Sequence, residues 1–298
     1  MADHTPLRPH KRSQPATRTT DDAPAAQRQH IEAVEPLKSV RCNIHGTIDL
    51  EPLLVAVMDT HIFQRLKRLR QLGCADHVYP TATHSRFEHS IGVAHLAGRL
   101  CRKLQTQQMP TAVEPPSERD ILCVKLAGLC HDLGHGPFSH TFENVVPGFK
   151  HEEMSVKLLD LLFRGPHACL RLSDFSAGGE FLKDHEDLTF VKELIDGVGP
   201  AERRGRKLPK WYLYNIVSSR AIDVDRLDYL SRDPVSAGCF DGSSCVVCCP
   251  RLPLLPALLP RSHTRVPRHR PGVSALRAGQ RLSLCARPHL RQCRRADG

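Results

Sequence analysis

No apolar run in this 298-residue chain is long enough to cross a membrane, so nothing in it reads as a membrane span. No secretory leader is recognisable, and twelve cysteines are scattered without the spacing of a disulfide framework. Both absences point to an intracellular, reduced protein, nuclear or cytoplasmic. Lysine is missing from residues 251–298, which hold eleven Arg and a single acid, Asp297. The formal net charge of +10 therefore belongs to that tail, and the rest of the chain balances to zero. A basic charge confined to one segment does not make the whole chain a nucleic-acid binder.

What is present divides into three parts. Residues 1–37 are polar and lack periodicity, which predicts a disordered arm; His10-Lys11-Arg12 is its one short basic cluster. Residues 38–238 carry apolar positions at helical spacing and predict an all-α domain. Lys38–Leu50 has strand character, with His45-Gly46 as the turn. Helices are predicted over 51–60, over 62–72 with Phe63, Leu66 and Leu69 inward, and from an N-cap at Ser85 to about Leu104. Further helices are predicted over 118–131, 151–163, 188–195 and much of 211–233. The stretch 77–80 reads as extended, and 165–185 as irregular.

The stretch 126–142, LAGLCHDLGHGPFSHTF, is the most informative. It places His131, Asp132, His135 and His140 within ten residues where an apolar helix ends. Imidazole and carboxylate are the groups that hold a divalent cation. His89 lies one turn into the helix that Ser85 opens, and Arg86 lies three residues before it on the same face. A lone helical histidine is more often a packing residue than a ligand. AIDVDRLDYLSRD packs four aspartates into eleven residues, and at helical spacing Arg226, Tyr229 and Asp233 line one stripe with Asp225 beside it. Such a stripe is often only a solvated face. Together, His89, His131, Asp132 and Asp225 offer two nitrogens and two carboxylates, a mixed set suited to Mn, Fe, Zn, Co or Ni over plain Mg. Such an ion polarises a phosphoryl oxygen, which is the chemistry of phosphoester hydrolysis. Arg86 and Arg226 suit phosphate oxygens, and His135, His140, Glu143 and His151 can give and take protons.

The pattern H…HD…D on helices resembles the HD-domain metal-dependent phosphohydrolases. FQRLKRLRQLG, HSRFEHSIGVAHLAG, LCVKLAGLCHDLGHGPFSHTF and IDVDRLDYLSRD occur in that order. They resemble the dNTP triphosphohydrolase branch, the proteins that pair a sterile-alpha-motif with an HD domain, over residues 38–238. That likeness implies an all-α HD fold that splits a dNTP into deoxynucleoside and inorganic triphosphate. It implies that His89, His131, Asp132 and Asp225 hold the divalent metal (Mn, Fe, Zn or Mg) and that His151, His140 and Glu143 form the acid–base group. Family members carry Asp at the position of Glu143. The same likeness assigns Arg86, His135, His140, Arg226 and Tyr229 to phosphates, and Gln71, Leu72 and Asp233 to the deoxyribose. It further implies a GTP or dNTP activator that bridges subunits into a homotetramer, with Lys38, Asp59, Gln64 and Lys67 at the activator site. The segment 41–43 departs from the family pattern there, and no sterile-alpha-motif domain fits within 1–37.

After about Gly238 the likeness ends. Residues 239–298 are rich in Arg and Pro, and prolines interrupt every candidate helix. This predicts a disordered tail or a frameshifted reading. Cys245, Cys248, His263 and His269 approach zinc-finger spacing, but Pro250, Pro253, Pro256 and Pro260 fall where a finger needs strand and helix. The tail could hold nucleic acid by charge alone. Two other readings stand beside the triphosphohydrolase: another HD-type nucleotide phosphohydrolase, and an inactive nucleotide- or nucleic-acid-binding fragment.

Overall fold

The computed structural model describes residues 31–32, 38–219 and 222–239. The expectations for most of the arm, for the tail beyond Cys239 and for the zinc-finger-like spacing lie outside these residues. Within them the protein is chiefly helical: α1 (Pro52–Met58), α2 (His61–Gln64), α3 (Arg86–Gln105), α4 (Glu118–Cys130), α5 (His140–Val145), α6 (His151–Phe163), α7 (Glu186–Asp196) and α8 (Val224–Ser236). Two small sheets accompany them. Strands β2 (Lys38–Cys42) and β3 (Gly46–Leu50) form an antiparallel hairpin, with Lys38 opposite Leu50 and Cys42 opposite Gly46. Strand β1 (Ile31–Glu32) pairs in parallel with β4 (Phe175–Ala177), which also pairs with β5 (Glu180–Phe181). The arm predicted over 1–37 thus contains one short paired segment, and the stretch predicted as irregular holds its partner β4 and the next strand, β5.

The helices begin where side chains can satisfy the free N–H groups of a first turn. Ser85 opens α3, as the sequence predicts, and its backbone N–H donates to Glu88 Oε2 at 3.3 Å. Ser117 opens α4: its Oγ accepts from Asp120 N at 3.2 Å, and Asp120 Oδ2 accepts from Ser117 N at 3.0 Å. Asp223 opens α8 by accepting from Arg226 N at 2.9 Å. Helix α4 is buried on nearly every side, which is why its apolar residues show little facing preference. It packs against α3, α7 and α1, and α8 lies against α3. The core runs through Leu53, Leu54, Phe63, Val93, Ala97, Leu126, Leu129, Leu159, Phe190 and Tyr212.

One predicted helix is shorter than its pattern. The apolar spacing over 62–72 predicts a single helix, but α2 gives way to a 3-10 turn over Arg65–Arg68 and the chain is extended at Leu69. Leu69 O accepts from Arg86 N at 2.9 Å, and Arg70 bridges Ser85. Tertiary pairing with the start of α3 overrides the local period here. Likewise 77–80 is not fully extended, because Ala75–His77 makes a 3-10 turn. In 211–233, a 3-10 segment over Leu208–Asn215 precedes α8.

Candidate metal and acid–base site

Helix α3 supplies His89, the end of α4 supplies His131 and Asp132, and the first turn of α8 supplies Asp225. One ligand atom from each of His89, His131 and Asp132 lies within 4.8 Å of the others. Asp225 Oδ1 sits 3.0 Å from His89 Nε2 and 3.5 Å from His131 Nε2. All four residues predicted as ligands therefore converge.

The hydrogen bonds behind them set the imidazole tautomers. His131 Nδ1–H donates to Gly128 O at 2.8 Å. His89 Nδ1–H donates to Asp228 Oδ2 at 2.8 Å. Each ring thereby turns Nε2 toward the carboxylates, the arrangement that metal-bound histidines adopt. His131 Nε2 is buried without a hydrogen-bond partner. A bare buried nitrogen is costly unless something takes its lone pair, and a cation does so. Three buried or half-buried carboxylates, Asp132, Asp225 and Asp228, also crowd the same few ångströms. Burial drives the His89 imidazolium toward losing its proton, yet the bonds to Asp225 and Asp228 override this and raise its pKa to about 10. Burial pushes the Asp225 carboxyl up, and the neighbouring His131 and His89 rings more than reverse that, holding it well below the usual range. The pocket calls for positive charge, so the donor set fits a divalent ion.

Beside this group lies a second cluster. Glu143 on α5 accepts from His140 Nδ1–H at 2.9 Å and, through its other oxygen, from His151 Nδ1–H at 2.6 Å and from the His151 backbone N–H at 2.8 Å. Burial raises the Glu143 carboxyl, but those bonds outweigh it and bring its pKa down to about 2. The glutamate that stands in the family's Asp position therefore reaches both histidines. His135 stacks on His151 with ring centroids 3.9 Å apart and joins the two clusters, its Nε2 3.3 Å from Asp132 Oδ1. Burial is the main cause that lowers the His135 pKa to about 4. Gly134 permits the close approach of this loop to α6, since a Cβ there would lie 2.2 Å from His151 O.

The other predicted residues fall around this centre. Arg86 is buried; its guanidinium donates to Asp132 Oδ2 and, at 3.0 Å, to Ser139 Oγ. Asp233 Oδ1 accepts from the His84 ring at 2.8 Å. Gln71 and Leu72 lie in the turn whose backbone pairs with His84, and Gln71 Oε1 is buried without a hydrogen-bond partner. Arg226 and Tyr229 are half-buried on α8. Of the activator set, Lys38 Nζ meets Asp59 Oδ1 at 3.5 Å on the surface. Gln64 instead donates to Met58 O at 2.7 Å, and Lys67 Nζ lies 4.7 Å from the centre of the Phe87 ring.

Three contributors escaped the sequence reading. Asp228 is fully buried behind His89. Arg65 donates to Leu133 O at 2.5 Å and His135 O at 2.8 Å, clamping the histidine loop. Ser139, at a positive φ of 54°, holds Arg86. Asp228 had a faint signal, since it lies three residues after Asp225 and four before Arg232 on one helix. Arg65 and Ser139 had none.

A helical scaffold that gathers H…HD…D beside a carboxylate-bridged histidine pair defines an HD-type metal-dependent phosphohydrolase. The HD domain family matches residues 86–233. Similar proteins include deoxynucleoside triphosphate triphosphohydrolase SAMHD1 of Mus musculus, 41% identical over 231 residues, covering 70% of this chain and 34% of the relative. The Homo sapiens protein of the same name is 42% identical over 218 residues, covering 67% and 33%. A SAMHD1 homolog of Dictyostelium discoideum is 39% identical over 203 residues, covering 65% and 35%. The chain belongs to the HD-domain family. It spans about a third of the length of these curated relatives. No helix among the described residues is long and apolar enough to cross a membrane.

Proposed function

We propose that this chain hydrolyses a deoxynucleoside triphosphate to the deoxynucleoside and inorganic triphosphate. The observation that carries the proposal is the adjacency of two distinct groups: the converging His89, His131, Asp132 and Asp225, and the Glu143-bridged His140 and His151. The first group would hold the divalent ion, with its mixed nitrogen and oxygen donors favouring Mn, Fe or Zn over Mg. When bound, that ion supplies Lewis-acid polarisation of a phosphoryl oxygen. The protein's own residues carry the rest. Glu143 takes the Nδ1–H of both His140 and His151, leaving Nε2 of each ring as the atom that gives or takes a proton. The bond between the α-phosphorus and the 5′-oxygen breaks; water supplies the hydroxyl to phosphorus, and its proton ends on the 5′-oxygen. Arg86, His135, Arg226 and Tyr229 would bind phosphate oxygens. Gln71, Leu72 and Asp233 would line the sugar and leave no space for a 2′-hydroxyl.

A nucleotide activator fits the surface around Lys38, Asp59, Gln64 and Lys67, and bridging by that nucleotide would favour a homotetramer. Support for this part is the Lys38–Asp59 pair, which sets a cation beside a carboxylate able to take a guanine edge.

Product analysis tests the reading. Purified protein is incubated with dGTP or GTP and Mn²⁺ or Mg²⁺, with His131→Ala in parallel. Triphosphate and deoxyguanosine from dGTP alone, lost in the variant, are the expected products. Orthophosphate or pyrophosphate release, or turnover that survives His131→Ala, overturns it.

A further inference from the structure

The carboxylate of Asp228 is held by two histidines distant in sequence and by an arginine on its own helix. His45, in the turn of the β2–β3 hairpin, reaches Asp228 Oδ1 through Nε2 at 2.6 Å. His89 donates to Oδ2 at 2.8 Å, and Arg232 donates to Oδ2 at 2.7 Å and to Oδ1 at 2.9 Å. The side chains of His45 and Asp228 are both fully buried. Arg232 also reaches Cys42 Sγ at 3.5 Å, at the end of β2. The opposite wall is tight: a Cβ on Gly92 would fall 2.0 Å from Asp228 Oδ1 and 2.4 Å from Arg232 Nη2.

We propose that Asp228 is a positioning residue that ties the seating of the β2–β3 hairpin to the metal-holding geometry of His89. This rests on the reading of His89 as a metal ligand. His89 needs Nδ1 occupied by an acceptor for Nε2 to face the ion, and Asp228 is that acceptor. The other oxygen of the same carboxylate is held by the hairpin. If the hairpin lifts, His45 leaves, and Oδ1 of Asp228 keeps Arg232 as its one remaining donor among these bonds. By linkage the effect runs both ways: an ion on His89 holds the hairpin down, and a seated hairpin tightens the ion.

The test uses the full chain and the metal alone. Mn²⁺ affinity is measured by calorimetry, and hydrogen exchange of residues 38–50 is followed with and without Mn²⁺. Asp228→Asn should weaken Mn²⁺ by about 10- to 100-fold, the usual effect of losing a partner behind a metal-bound histidine. His45→Ala should weaken it by roughly tenfold, while His45→Gln, whose amide can still donate, should restore it. Gly92→Ala displaces the carboxylate from the other side and should mimic Asp228→Asn. In the unaltered chain Mn²⁺ should slow exchange in the hairpin, and in His45→Ala it should not. Affinity in His45→Ala and Asp228→Asn equal to that of the unaltered chain, with exchange indifferent to Mn²⁺, overturns the proposal. If His131→Ala also binds Mn²⁺ unchanged, the assignment of the site itself fails; if His131→Ala loses the ion while the other two keep it, only the link to the hairpin fails.

Discussion

Glu143→Gln removes a charge while keeping the shape of the side chain. The carboxylate accepts three N–H groups: His140 Nδ1, His151 Nδ1 and His151 N. An amide offers one acceptor oxygen, and its NH₂ faces whichever ring lies on the other side as donor against donor. One histidine must therefore turn or change tautomer. A hydrogen bond to a charged group is worth about 1.5–3 kcal/mol. At about 1.36 kcal/mol per decade of rate, losing one in the transition state costs about 10- to 100-fold in kcat. The carboxyl titrates at about 2. The charge is thus present throughout any neutral assay range, and the defect should be flat across it. Steady-state release of deoxyguanosine, with bound metal and melting temperature measured alongside, gives the readout. A loss under about threefold, or one that disappears toward acid, would falsify the role given to this glutamate.

Two further outcomes follow from the packing around the site. Asp120 is buried and accepts from Arg206 Nε and Lys210 Nζ, both at 2.6 Å; burial raises its carboxyl, and these bonds prevail, bringing it from 3.8 to about 2. A depressed carboxyl contributes stability above its unfolded value that is lost as pH falls through the folded one, so about 2 kcal/mol should vanish between roughly pH 4 and 2. Asp120→Asn should be less stable in urea at pH 7 by about 3 kcal/mol, and the gap to the unaltered protein should narrow at pH 3; a constant gap contradicts the assignment. Gly134→Ala must move His151 O or the loop, because the added carbon would also lie 2.5 Å from Ser155 N. It should lower Tm and cut turnover together, and an unchanged Tm with full activity would show that the loop yields freely.

The residues that do chemistry were legible because their types are unusual in their setting. Three histidines and an aspartate at the end of an apolar helix have few uses besides binding, and His89 and Asp225 gained meaning only beside them. Their convergence could be expected from the sequence; the tautomer of His89 could not, because Asp228 becomes its acceptor only once the helices are packed. His45 read as a turn residue, and the hairpin bears that out, but its ring is buried against a residue 183 positions away. The stretch 62–72 carried a true helical period and still gave way to a 3-10 turn, since Leu69 and Arg70 find backbone partners at the start of α3. Local pattern cannot anticipate a partner that arrives from elsewhere.

Arg65 hydrogen-bonds the histidine loop through the carbonyls of Leu133 and His135. It grips the path of the main chain and is indifferent to which side chains hang from it. The loop is therefore a cassette. Its side chains can be exchanged, for a different nucleotide or a different ion, without dismantling the clamp that shapes it. Its length and peptide orientation cannot. A single insertion or deletion between 133 and 135 takes these carbonyls out of joint reach of one guanidinium, whatever side chains the loop carries.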